Sequence, residues 1–133
     1  MGVELIHAAL MAAFALREAE QDAIDIDAHR PIDHVSGWLE RCFFAVVCAA
    51  VLTLIATTKG AALLPTLASL VVLSYGVFTP VFRWRLNSLR RKAWDYVSLS
   101  NLYDTAFISA FGNGAGAAAY AVEIAAALVA LTL

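Results

Sequence analysis

Polar and apolar positions along this chain separate into long blocks rather than a fine alternation. Cys42–Thr58, Ala61–Phe82 and Thr105–Leu133 hold one charged residue between them, Glu123. A membrane-spanning helix needs ~20 mostly apolar residues, so these blocks predict three spans, at 34–58, 61–82 and 102–133. Ahead of them, Val3 to about His29 reads as one helix, rich in Ala, Leu and Glu and without Gly or Pro. Its uncharged part, Leu5–Leu16, is too short to cross a bilayer. Residues 1–30 are therefore expected to form an amphipathic juxtamembrane helix, lying on the membrane surface or docked against the spans. The predicted fold class is an all-α membrane protein, with that helix plus three transmembrane helices in a single membrane domain over 1–133.

Local signals set the joints. Arg30-Pro31 ends the first helix, because the residue before proline disfavours helix, and Asp33 suits an N-cap for the next. Thr58-Lys59-Gly60 ends the first span with a glycine C-cap, and so short a turn demands an antiparallel helical hairpin. Pro65 falls in the first turns of the second span, where proline is tolerated, and Pro80 is expected to kink or end it. Residues 83–101 are then a basic loop, with Trp84, Leu86, Leu89, Trp94 and Val97 suggesting an interfacial helix. Asn101 followed by Asp104 resembles the cap of the last helix.

Composition agrees with the block pattern. Hydrophobic residues make up 62% of the 133 and charged residues 15%, against about 45–50% and 25% in soluble domains. A chain this short cannot hide that excess from water, so lipid must cover it. Cys42 and Cys48 lie roughly 9 Å apart along a helix, too far for a disulfide.

The charges are also segregated. Residues 1–40 hold eight acids against Arg17 and Arg30, whereas 83–95 hold Arg83, Arg85, Arg90, Arg91 and Lys92 against Asp95. With three spans, Arg17, Arg30, Arg41 and the five basic loop residues fall on one side and Lys59 alone on the other. Lys and Arg concentrate in the cytoplasm, which predicts a multi-pass protein of the inner membrane, N-in and C-out. Trp38, Trp84 and Trp94 all fall at that predicted cytoplasmic boundary.

Four constellations are candidates for chemistry. On the first helix, His7, Glu18, Asp22, Asp25 and His29 fall within roughly 60° of one another. Carboxylates and imidazoles spaced this way can ligate Mn, Fe or Zn, with His34 folding back as a further ligand. The competing readings are a solvated amphipathic face, or a face salt-bridged to Arg83, Arg85, Arg90 and Arg91. Second, Glu123 is an acid inside a span, on one broad face with Tyr120 and Asn113. It marks either a proton or ion pathway, or a hydrogen bond to a neighbouring helix. Third, Gly112, Gly114 and Gly116 with the adjoining alanines form a small-residue surface for close helix packing, within the chain or with another copy. Fourth, Arg90, Arg91 and Lys92, next to Trp94 and Tyr96, suit anionic lipid headgroups at about 1 kcal/mol per basic residue. Beside a membrane that is a simpler partner than nucleic acid. Hydrolase, zincin, Walker A and zinc-cysteine motifs do not occur in the sequence.

The pattern Asp22-x-x-Asp25, Ile32-Asp33-His34, a membrane hairpin, Leu86-Asn87-x-x-Arg90, Trp94-Asp95-Tyr96 and Tyr103-Asp104 resembles small polytopic membrane proteins of phage and prophage gene sets, for which no activity is established. The resemblance implies a viral or mobile-element origin. The span count and small-residue helix are similar to those of holins, but the chain ends in Ala-Leu-Thr-Leu rather than a basic tail. The expected function is non-enzymatic: assembly in the membrane through the last helix, as a structural or host-takeover component or a holin-like pore former. No residue set is assigned to catalysis under that reading. The alternative is a metal-dependent membrane enzyme with Glu18, Asp22, Asp25, His29 and His34 at the cytoplasmic face, and Asn87 or Arg90 holding an anionic substrate.

Overall fold

A computed structural model describes residues 2–31, 34–98 and 102–132, apart from the side chain of His34. The expected caps Asp33 and Asn101 lie outside the described residues. The chain is all-helical: α1 (Gly2–Asp27), α2 (His34–Thr57), α3 (Leu63–Leu89), α4 (Leu102–Phe111), a 3-10 turn (Gly112–Gly114) and α5 (Ala115–Ala130). Three stretches are long and apolar enough to cross a membrane, Val35–Thr57, Leu63–Leu89 and Leu102–Ala130.

α3 is the central element, packed by α1, α2 and α5. α1 runs parallel to it over most of its length. His7 meets Ser74, Phe14 meets Phe78 and Glu20 meets Arg85. The seam is built from Met11, Ala15, Ala19 and Ala23, all buried and four residues apart. Small side chains at that spacing let two helix backbones approach closely. Of the two placements the sequence allowed for this helix, docking is the one adopted. The direction of docking differs from the loop-side start that the charge distribution predicts. Gly2, Val3 and Glu4 line a cleft with Lys59, Ala61 and Thr66 at the α2–α3 turn, so α1 starts at the end of the bundle opposite the basic loop.

Three helices end in the same way. Ala61 N–H donates to Ala56 O and Gly60 N–H to Thr57 O, with Gly60 at φ 89°. The same pair of bonds closes α1 (Arg30 to Asp25, His29 to Ile26) and α3 (Lys92 to Asn87, Arg91 to Ser88). These are Schellman ends, which satisfy orphan carbonyls and need one residue in the left-handed region. Gly60 takes that role as the sequence predicts. At the other two ends His29 and Arg91 take it, both at φ 54°.

Two boundaries differ from expectation. Pro80 lies inside α3 without ending it, and the helix continues through Arg83 to Leu89. The loop therefore starts at Arg90. The interfacial helix expected around Trp84–Val97 is divided between the last turns of α3 and a non-helical segment. The third apolar stretch is also not one straight rod. Tyr103 Oη donates to Glu123 Oε1 over 2.8 Å, although 20 residues of continuous helix would separate them by roughly 30 Å. α4 folds back on α5 through the turn at Gly112, whose φ of 53° suits glycine. α5 then returns antiparallel to α3, with Arg83 opposite Glu123 and Ser69 opposite Ala130.

The apolar core, Ala49, Leu52, Leu70, Leu73 and Ala130, lies toward the α2–α3 turn. Close packing there depends on Gly76, where a Cβ would overlap the backbone of Ala127. Gly→Ala normally stabilises a helix interior by roughly 0.5–1 kcal/mol. Gly76→Ala should instead destabilise the protein by about 1–3 kcal/mol through overpacking. Gly114→Ala, where a Cβ meets nothing within 4 Å, is the control and should cost nothing. Thermal unfolding of both variants in detergent checks the sign.

Candidate functional site: a buried arginine–carboxylate centre

Arg83 and Asn87 are one helical turn apart on α3, and both are buried. Opposite them α4 supplies Tyr103 and Asp104, and α5 supplies Tyr120 and Glu123, one turn apart. Arg83 Nη2 donates to Asp104 Oδ1 at 3.2 Å. Arg83 Nη1 lies 3.0 Å from Glu123 Oε1, an ion pair whose angles are not those of an aligned hydrogen bond. Tyr103 adds its hydroxyl to the same Glu123 oxygen, and Tyr75 Oη is 2.6 Å from Tyr103 Oη. The guanidinium also faces the rings of Tyr103 and Tyr120, with Cζ 5.6 and 5.3 Å from their centroids. Glu123 is 0% exposed and its Oε2 has no hydrogen-bond partner among the described residues.

This centre also organises the chain between α3 and α4. Residues 93–98 are non-helical apart from one turn and run back along α3. Their backbone groups are met by side chains: Asn87 Nδ2 donates to Trp94 O at 3.2 Å and to Tyr96 O at 2.9 Å, and Tyr120 Oη to Trp94 O at 3.1 Å. Ser98 N–H donates to Asp104 Oδ2 at 2.9 Å. Gly116 lies so close to Asp95 that a Cβ would overlap its carbonyl. Non-helical backbone at membrane depth is tolerated where protein buries and satisfies it, and these side chains do that here.

The acidic face of α1 is shared among several arginines. Arg41 of α2 binds Asp22 at 3.0 Å and Glu18 at 3.4 Å, with its Cζ 4.4 Å from the centroid of Phe82. Asp25 pairs with Arg30 at 2.8 Å and accepts from Gln21. The contact expected with the 83–91 region is made by Glu20, to Arg85 at 2.6 Å, and not by Glu18, Asp22 or Asp25. His29 Nδ1 is 3.1 Å from the carbonyl oxygen of Asp27. His7 is away from these acids: Ser74 Oγ donates to Leu70 O and sits 2.7 Å from His7 Nε2. The side chain of His34 lies outside the described residues. Among the described residues, no three His, Cys, Asp or Glu gather where one metal ion would bind them.

The other expected site residues are dispersed. Asn113, Gly112 and Gly114 are exposed at the 3-10 turn, away from Tyr120 and Glu123, and only Gly116 of the glycine set is buried. The bend therefore splits the G-x-x-x-G pair. Arg83 is not a headgroup contact but the partner of Glu123. Arg85 pairs with Glu20, Arg90 and Lys92 stand by the ring of Tyr96, and Arg91 and Lys92 are exposed. Asp104 was expected beside a helix cap and is instead the second carboxylate on Arg83. The sequence signal for this centre is the i, i+4 pair Arg83 and Asn87, which continues the helical spacing of an apolar segment past Pro80.

Comparison with protein-family models, curated proteins and solved structures gives no match. What the site does is therefore read from its geometry. Two carboxylates and one guanidinium pull three helices together in a water-poor setting. Removing one member of a buried ion pair costs about 3–5 kcal/mol, because it leaves the other charge uncompensated.

Arg83→Gln should lower stability by about 3 kcal/mol or more, since two buried acids lose the guanidinium they share. Glu123→Gln leaves Asp104 on Arg83 and keeps the shape, and should cost about 1 kcal/mol or less. Detergent thermal unfolding of the two variants measures the asymmetry. Equal losses would contradict the central role given to the arginine.

Proposed function

We propose that this small integral membrane protein is a non-enzymatic component that works by helix–helix assembly in the bilayer, in the structural or host-takeover sense rather than as a holin-like pore former. The chain is all-helical, with three stretches able to cross a membrane. The observation that carries the reading is the direction in which polarity points. Glu123, Asp104, Arg83, Asn87 and His7 are turned inward and buried. The exposed large side chains of the belt are apolar, among them Val46, Val51, Leu54, Val71, Ile124 and Leu128. A subunit that lines an aqueous lumen needs a polar face to offer it, and this surface suits lipid or another helix. α5 also exposes Ala117, Ala121 and Ala125 at i, i+4 spacing, a small-residue stripe of the kind that brings membrane helices together. Assembly through the last helix then uses these alanines, not Gly112, Gly114 and Gly116. A phage or mobile-element origin has the sequence likeness as its support.

Vesicles with a trapped anionic dye test the choice. The reconstituted protein should retain the dye at all protein-to-lipid ratios, and release that grows with protein would favour the pore former. In detergent the wild type should form a defined oligomer by light scattering, and Ala121→Leu should shift it toward monomer without loss of helicity.

The same packing, read with the charges, supports an orientation. With α1 lying along α3, the start of α1, Lys59 and Ala130 share one end, and the loop from Arg90 to Ser98 occupies the other with most of the basic residues. The positive-inside tendency then puts the loop in the cytoplasm of an inner-membrane protein, with the start of α1 outside together with the end of α5. This proposal differs from the N-in placement expected from three spans alone, and labelling separates the two. In a background with Cys42→Ala and Cys48→Ala, Gly2→Cys and Lys59→Cys should label from one side and Lys92→Cys from the other. Labelling of Gly2→Cys together with Lys92→Cys would return α1 to the loop side.

A further inference from the structure

We infer that the cleft between the last turns of α1 and α3 is a binding site for a zwitterionic phospholipid headgroup carrying a phosphodiester and a primary ammonium. It encloses about 310 Å³ and is lined by Glu20, Asp27, Arg85 and Arg90, with Ile24 and Leu89 on its apolar side. The inference goes beyond the assembly reading and needs only that this end of the bundle meets the membrane interface. Trp84 and Trp94, exposed at the same end, mark that level, where amphipathic rings prefer to sit.

The charges in the cleft are balanced but not all engaged. Arg85 is held by Glu20 at 2.6 Å, and its Nε is buried without a hydrogen-bond partner among the described residues. Arg90 has a ring contact with Tyr96 and no carboxylate within salt-bridge reach among the described residues. The Asp27 carboxylate likewise makes no ion pair among them. A cation and an anion thus line one cavity without bridging each other. A ligand with both charges matches that arrangement. Arg90, with Arg85 beside it, presents planar N–H donors suited to phosphate oxygens. Asp27 and Glu20 accept hydrogen bonds, which a primary ammonium donates and a trimethylammonium cannot. Ile24 and Leu89, 55% and 40% exposed, give the glycerol and first acyl carbons an apolar wall. The two acids disfavour a headgroup of net negative charge here, although Arg91 and Lys92 nearby attract anionic lipid in general.

The full chain is reconstituted into nanodiscs of phosphatidylethanolamine and phosphatidylcholine with identical acyl chains, re-extracted in mild detergent, and its retained lipid identified by mass spectrometry. Phosphatidylethanolamine should be retained several-fold above its bulk share. Asp27→Asn should abolish the preference between the two lipids, and Arg90→Gln should reduce retention of both. Both residues lie at the bundle surface, and an unchanged unfolding temperature shows that the variants are folded. Retention at the bulk ratio in the wild type overturns the proposal, as does equal retention of phosphatidylglycerol in a matched disc. Displacement by millimolar inorganic phosphate also overturns it, because the site would then be one for a free anion.

Discussion

An arginine in an apolar helix cannot escape its charge by giving up a proton, so Arg83 must be neutralised where it stands. α3 carries no acid of its own, and the counter-charges come from elsewhere in the chain. Glu123 supplies one from α5. Asp104 supplies the other, although 19 positions of straight helix would put it roughly 28 Å away. Both can reach one guanidinium only if Leu102–Ala130 is bent double. The turn at Gly112 allows that bend, and the energetics of a buried ion cluster give it a reason. Tyr103 and Tyr75 extend the cluster from α4 back to α3.

The bend creates a second obligation. If α4 is to begin beside Arg83, the chain leaving α3 must travel back along the helix it has just completed, and it does so without helical hydrogen bonds. In water this is harmless, but near lipid each unmet carbonyl or N–H is costly. Asn87, Tyr120 and Asp104 meet these groups, and Gly116 makes room for the segment. A polar residue such as Asn87 inside an otherwise apolar helix is then explained by backbone several residues further on. The charge centre and the returning segment form one design, since Asp104 serves both Arg83 and Ser98.

Much of the architecture is legible in the sequence, because it follows from composition over long windows. The all-helical class, the three apolar stretches and the helical hairpin closed at Gly60 all come from blocks of like residues or from a glycine with one clear use, whereas for α1 the blocks leave surface and docked placements open. What stayed hidden depends on pairing. Nothing local distinguishes Arg83 from Arg91, yet one is buried in the bundle and the other ends a helix in the left-handed region. The acids of α1 share one helical face, and spacing alone leaves metal ligation, solvation and salt bridging open. Arg41, 19 and 23 residues from Asp22 and Glu18, pairs with two of them, a partner that spacing along α1 does not show. Pro80 misled for a related reason. It removes one donor, and a helix packed on three sides can tolerate that loss where an isolated one would break.

These pairings also explain why α1 belongs to the bundle although its composition alone does not mark it as a span. Its first half is apolar and meets α3 through alanines. Its second half carries five acids, which no lone helix would bring to a bilayer. Arg41 and Arg85 take three of the five on the level of the last turns of α3, where Trp84 faces outward. The ionic half of α1 therefore depends on arginines that α2 and α3 supply. The apolar core near the α2–α3 turn and the ionic layer near the loop then act on the same helix at its two ends. Small residues set how closely α1 approaches. The ion pairs set its register, since a slip of one turn would carry Glu20 away from Arg85 and His7 away from Ser74 together. A helix that neither hydrophobicity nor charge alone would hold is fixed by the requirement that both match at once.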